Sequence, residues 1–245
     1  MSAPRTVRAP RHSLLAAQLF LMLFGFGCGL ATTVTATPSP DNNSVQVLYP
    51  TGIETRRLDN GVIAVLDHKG HYFMGFGEKW QVGAFHEDFL PTVEKYAQIN
   101  LSVKSIFEVL YQNDSSLRIY AVDTSPEHLT DKTATVIYIG MFQDQQHLQA
   151  TLNDMAADLI ENINSDGRLE VTRTLAGESN YAIPFIILLT ESRSKTDTPF
   201  PVYGASVLIK TEEAYLEMSY ITFDGTIDII DELNPILASF VTFVE

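Results

Sequence analysis

Residues 202–222 read VYGASVLIKTEEAYLEMSYIT, and this stretch decides the fold class. Two β-rich runs, 202–210 and 214–222, stand either side of a short polar connection, which brings consecutive strands together antiparallel. In the second run Leu216, Met218 and Tyr220 alternate with Glu217 and Ser219. That period of two predicts one face on the core and the other toward water or a partner. Working upstream, 181–190 and 169–175 are two further β-like runs, the earlier one entered through an Asp166-Gly167 turn. Pro184 lacks a donor for the ladder and predicts an edge or a bulge in its strand.

Outside this block, helices alternate with more strands. Leu148, Leu152, Met155, Leu159 and Ile163 recur at helical spacing and predict one helix over 145–164 with a single buried stripe. Residues 87–112 also read as helical, with Pro91 near a first turn, Asn100 as an interruption, and an amphipathic segment at 102–111. Ile227, Ile230, Leu233, Leu237 and Phe240 mark a C-terminal helix disturbed by Pro235. Runs at 62–66 and 71–76, separated by Lys69-Gly70, predict a hairpin, and 117–122 and 134–142 are β-rich on either side of a polar loop. The sole tryptophan, Trp80, is expected in the core.

Phe73-Met74-Gly75-Phe76, leading through Gly77-Glu78-Lys79 to Trp80, then the run 214–222 and the closing helix with Ala238-Ser239-Phe240, together resemble the PsbP-like family over residues 62–245. The resemblance implies an α+β fold with a central antiparallel sheet flanked by helices, here behind an N-terminal hydrophobic segment. It also implies small exported or lumenal proteins, often lipoproteins or assembly factors, without a shared catalytic centre. No functional residue carries over.

The N-terminus has its own signal. Arg5, Arg8 and Arg11 precede an 18-residue apolar run, 14–31, and no acidic residue occurs before Asp41. Cations followed by an apolar stretch read as an export signal. As a helix the run spans roughly 27 Å, near the roughly 30 Å of a bilayer core, so an uncleaved anchor is one outcome. Cleavage after Ala36, with release, is a second. Acylation of Cys28, the only cysteine, is a third, since Gly27 supplies the small residue that must precede a lipidated cysteine. The expected organisation is a signal peptide or anchor over 1–36, a polar linker over 37–58 and a single α+β domain over 59–245. The expected location is extracytoplasmic and membrane-anchored, in a bacterial cell envelope, with secretion as the alternative.

Charge narrows the partners. The chain holds 16 Lys and Arg against 30 Asp and Glu, and three of the cations lie in the leader, which leaves 13 − 30 = −17 for the rest. Such a body is repelled by nucleic-acid phosphate, so no nucleic-acid partner is expected. The membrane through the leader and another protein are the expected partners.

Site motifs are sparse. His68 and His71 beside Asp67, with His86-Glu87-Asp88 downstream, offer imidazole and carboxylate donors, so His68, His71 and His86 are the candidate ligands for a divalent metal. His128 and His147 lie in polar surroundings and read as surface residues. Asp224, Asp228, Asp231 and Glu232 gather at the start of the last helix, where the dipole favours acids. Asp224-Gly225-Thr226 does not continue as a calcium loop. There is no G-x-S-x-G element, and Gly75-Phe76-Gly77 falls short of a dinucleotide fingerprint. No catalytic residue and no cofactor is expected. The reading is a non-enzymatic, membrane-tethered protein with an assembly or accessory role, the alternative being a small-molecule or metal-binding extracytoplasmic domain.

Overall fold

The hairpin at 202–222 forms as its pattern predicts. In the computed structural model, β10 (Tyr203–Lys210) and β11 (Tyr215–Thr222) pair antiparallel from Lys210↔Tyr215 to Tyr203↔Thr222. Thr211 closes the turn, its hydroxyl accepting from the Ala214 N–H at 2.9 Å. The structure describes residues 46–85, 87, 89–100, 116–193 and 201–243. The expected amphipathic segment at 102–111 lies outside them, as do the leader, Cys28 and His86.

Around this hairpin the chain builds two antiparallel sheets. The larger has seven strands in the order β5-β6-β7-β11-β10-β9-β8. It comprises β5 (Trp80–Ala84), β6 (Leu117–Asp123), β7 (Thr135–Phe142), β8 (Leu169–Glu178) and β9 (Pro184–Ser192) beside β10 and β11. The smaller runs β1-β2-β3-β4-β12, from β1 (Gln46–Leu48), β2 (Ile53–Arg57), β3 (Ile63–Asp67), β4 (Tyr72–Phe76) and β12 (Val241–Thr242). An α+β class with antiparallel sheets agrees with the sequence; one central sheet does not, because residues 46–84 divide between two. Residues 46–57, expected to be linker, are instead β1 and β2. Ile53 is fully buried, which an apolar reading of so short a run passes over.

The two sheets share one core. Ile53, Val65, Met74 and Phe76 of the smaller sheet meet Ile119, Ile137, Val207 and Met218 of the larger, together with Leu233, Ile236 and Leu237 of α4 (Ile229–Ala238). Trp80 joins it, edge-on to Phe76 and Tyr220 with centroids 6.3 Å away in each case. Removing such side chains from water contributes roughly 1.5–3 kcal/mol each.

The second face of the larger sheet is covered too. One cluster there sets Tyr96 of α1 (Phe89–Ala97) with Leu117, Tyr120 and Val136. Another sets Ala156, Leu159 and Ile163 of α3 (Leu152–Asp166) on Ile186, Leu188, Leu208 and Tyr215. Glu217 and Ser219, expected to face water or a partner, are therefore buried. Local alternation reports polarity, but it does not report what lies above the polar face.

The helix expected over 145–164 is two helices, α2 (Gln145–Gln149) and α3, because Ala150 and Thr151 are extended. Thr151 and Asp154 form a capping box that restarts the helix one residue on. Pro184 opens β9, between β8 and β10, so it sits at neither an edge nor a bulge; the first residue of a strand tolerates a missing donor.

Candidate functional site

A group of charged side chains lies where β5 begins and β6 ends. Trp80 pairs with Asp123 across these strands, and the Lys79 carbonyl accepts from the Thr124 N–H at 2.9 Å and its hydroxyl at 2.8 Å. That pairing places the Lys79 ammonium 3.1 Å from the buried Asp123 carboxylate, in contact with Glu232 of α4 and 5.5 Å over the Trp80 ring. Asp123 also accepts from the Ser125 N–H at 2.9 Å, bonds the Ser125 hydroxyl, and meets His128 Nδ1 at 2.8 Å. Burial pushes the Asp123 carboxyl up, but Ser125, His128 and Lys79 offset it, so its pKa lies below the ordinary value. Burial likewise presses the Lys79 ammonium down, and the two carboxylates outweigh it, leaving its pKa raised.

An Asp–His pair suggests acid–base chemistry, yet the order is wrong for a nucleophile triad. There the imidazole stands between carboxylate and hydroxyl. Here the Ser125 hydroxyl bonds the carboxylate itself. The group acts as an electrostatic clamp, tying α4 and the loop after β6 to the start of β5. Its parts were visible separately as Trp80, His128 and the acidic cluster. Nothing local linked Lys79 to Glu232, 153 residues on.

The acidic cluster disperses. Asp228 caps α4, accepting from the N–H groups of Ile230 and Asp231. Asp224 closes a turn, accepting from the Thr226 hydroxyl at 2.7 Å, and sits below the ordinary carboxylate range chiefly for that reason. His147 is buried, contrary to its reading as a surface residue. Its ring stacks on Phe142 at 4.7 Å and Tyr215 at 5.7 Å, and Nδ1 meets Asp144 at 2.5 Å. His128 is half-buried on Asp123.

Two of the candidate metal ligands, His68 and His71, fall at one end of the smaller sheet. His68 pairs with Glu54 at 3.4 Å, and His71 with Glu213. Both rings lie 6.0 Å from Phe243, whose N–H donates to the His71 carbonyl at 3.0 Å. Asp67 is taken up by other partners. It accepts from the N–H groups of Lys69 and Gly70 and takes a fork from Arg118 at 2.6 and 2.8 Å. His86 is outside the described residues, and among those described no three His, Cys, Asp or Glu gather as a metal group.

Beside His68 is an open hollow of about 540 Å³, lined by Leu48, Tyr49, Pro50 and Gly52 as well. β1, at the end of the smaller sheet, is exposed in all three residues, and Leu48 is 65% exposed. Here a free strand edge and exposed apolar surface coincide, and the sequence marked it as linker. Among the same residues no helix is long and apolar enough to cross a membrane.

No family model matches the chain, and no curated protein matches it. Solved structures similar to the chain include a PsbP. The solution structure of cyanobacterial PsbP (CyanoP) from Synechocystis sp. PCC 6803 aligns with a TM-score of 0.46 at 10% identity, covering 76% of this chain and 95% of that one. A crystal structure from Bacteroides thetaiotaomicron VPI-5482 aligns with a TM-score of 0.36 at 8% identity, over 71% of this chain and 46% of the other.

Proposed function

We propose that this chain is an exported, membrane-tethered accessory protein, without catalytic activity, that binds another protein along the β1 edge. The observation that carries the reading is the exposed strand Gln46–Leu48 beside the apolar hollow at Tyr49, Pro50 and His68. An open edge presents unpaired N–H and C=O groups, to which an extended partner segment adds as a further strand while the hollow takes its side chains. The edge also lies close in sequence to the apolar run at 14–31. Residues 32–45 reach at most about 50 Å when extended, so anchoring holds this edge near the membrane surface, where a membrane-bound partner meets it.

The test is site-specific photocrosslinking in the native host with the leader intact. A crosslinker at Leu48 is expected to capture one defined partner in the membrane fraction, and one at exposed Tyr181 is not. Gln46→Pro, which removes a donor from the free edge because the Val47 and Tyr49 N–H groups face β2, is expected to abolish that product. Recovery of the protein in the cytoplasm, or equal capture from both positions, sinks the reading. Mass analysis of the mature N-terminus distinguishes a retained anchor, an acylated Cys28 and cleavage after Ala36.

A further inference from the structure

A second groove, far in sequence from the β1 edge, lies between β8–β10 and the start of α4. Its volume is about 450 Å³, inside the roughly 300–1,000 Å³ of small-molecule sites. Leu175 and Leu189 form one wall, and Ile227, Ile229 and Ile230 the other; all five are only partly buried at the margin of the main core. We infer that this groove binds a single-chain aliphatic carboxylate, with Arg173 holding the headgroup.

The placement of Arg173 rests on a bulge. β8 and β9 pair in register as far as Val171↔Thr190, and pairing resumes at Arg173↔Leu189, leaving Thr172 unpaired with its hydroxyl on the Leu189 carbonyl at 3.3 Å. In an unbroken strand residues 169, 171, 173 and 175 share one face. Here Leu169 and Val171 pack with α3, whereas Leu175 packs on the opposite side of the sheet, with Leu189. The extra residue therefore turns Arg173 away from α3 and into the groove, the re-aiming that bulges perform beside binding sites.

Arg173 selects the headgroup, as the one cation among the described residues lining the groove. Of the two carboxylates there, Asp228 caps α4 and Glu191 has an interaction of its own. Arg173 is exposed and has no hydrogen bond or ion pair among the described residues, in a protein of net charge −14. A guanidinium fork matches a carboxylate in two parallel hydrogen bonds. The isoleucine and leucine walls take the hydrocarbon chain, and the polar part of the lining, with Arg173, Thr172 and Thr190, takes the headgroup.

The experiment is photolabelling of the full-length protein with a diazirine-bearing decanoate below its micelle concentration, followed by peptide mapping. Label is expected on residues 172–190 and 227–230, displaced by decanoate and not by decyltrimethylammonium. Arg173→Met is expected to reduce it about fivefold, the scale of one exposed charge pair, and Arg173→Lys to retain most of it. Both variants replace an exposed side chain, and circular dichroism checks their fold. Equal displacement by the cationic amphiphile, label confined to residues 1–45, or unchanged labelling in Arg173→Met overturns the inference. So does a concentration-dependent dimer that Ile229→Glu abolishes, because a second copy would then occupy the groove.

Discussion

Replacing Asp123 by alanine tests whether the clamp at the head of β5 and β6 holds the fold. The carboxylate is fully buried and bonded by the Ser125 N–H and hydroxyl, by His128 and by Lys79. Hydrogen bonds to a charged group contribute about 1.5–3 kcal/mol each, but they do not add here. Lys79 and His128 are 28% and 21% exposed, so water takes up part of what they lose, and Lys79 keeps Glu232. The expected loss is about 3 kcal/mol for Asp123→Ala and about 1 kcal/mol for Lys79→Met, which leaves Asp123 its other partners. With a urea dependence of about 2 kcal/mol per molar, the midpoints fall by about 1.5 M and 0.5 M. Trp80 is the only tryptophan and is paired with Asp123, so its fluorescence reports unfolding at the site.

The pH dependence has a definite sign. Because the folded pKa of Asp123 is depressed, its contribution is present above the unfolded value of about 3.9 and is lost as pH falls through the folded one. The gap between wild type and Asp123→Ala is therefore expected to narrow below about pH 5. A midpoint for Asp123→Ala within about 0.3 M of wild type, a gap unchanged between about pH 7 and 3, or strict additivity when Asp123→Ala and Lys79→Met are combined refutes the clamp.

Two further perturbations probe local packing. At Gly70 an added Cβ meets the Tyr72 ring at 2.7 Å and the Met141 sulfur at 2.9 Å, while at Gly77 it meets nothing within 4 Å. Gly70→Ala is expected to cost about 1–3 kcal/mol and Gly77→Ala almost nothing, measured by the same urea titration; equal effects contradict the packing around Tyr72. Thr151→Ala removes the hydroxyl of the capping box and is expected to cost about 1 kcal/mol, lowering the melting temperature by about 2–4 °C in a calorimetric scan. An unchanged melting temperature would show that α2 and α3 do not depend on that cap.

Much of the candidate surface was legible only in fragments. The β3–β4 hairpin and its histidines could be read at 62–76, because strand propensity and a Lys69-Gly70 turn are local properties. That Asp67 serves Arg118 rather than a metal could not, since the partners are 51 residues apart. The free edge at 46–48 was passed over as linker, because three residues are too few to show a period.

The sequence alone determined the elements that carry their own signature. These were the antiparallel hairpin at 202–222, the stripe of α3, the acidic start of α4 and the buried Trp80. Each depends on residues within one or two turns of one another, where spacing translates directly into a shared face. Tertiary structure decided the rest: the division into two sheets, the cover over Glu217 and Ser219, the burial of His147, the Lys79–Glu232 contact and the bulge that turns Arg173 into its groove. All of these depend on which distant segment completes the environment of a residue, and a pattern of polarity along the chain holds no record of that pairing.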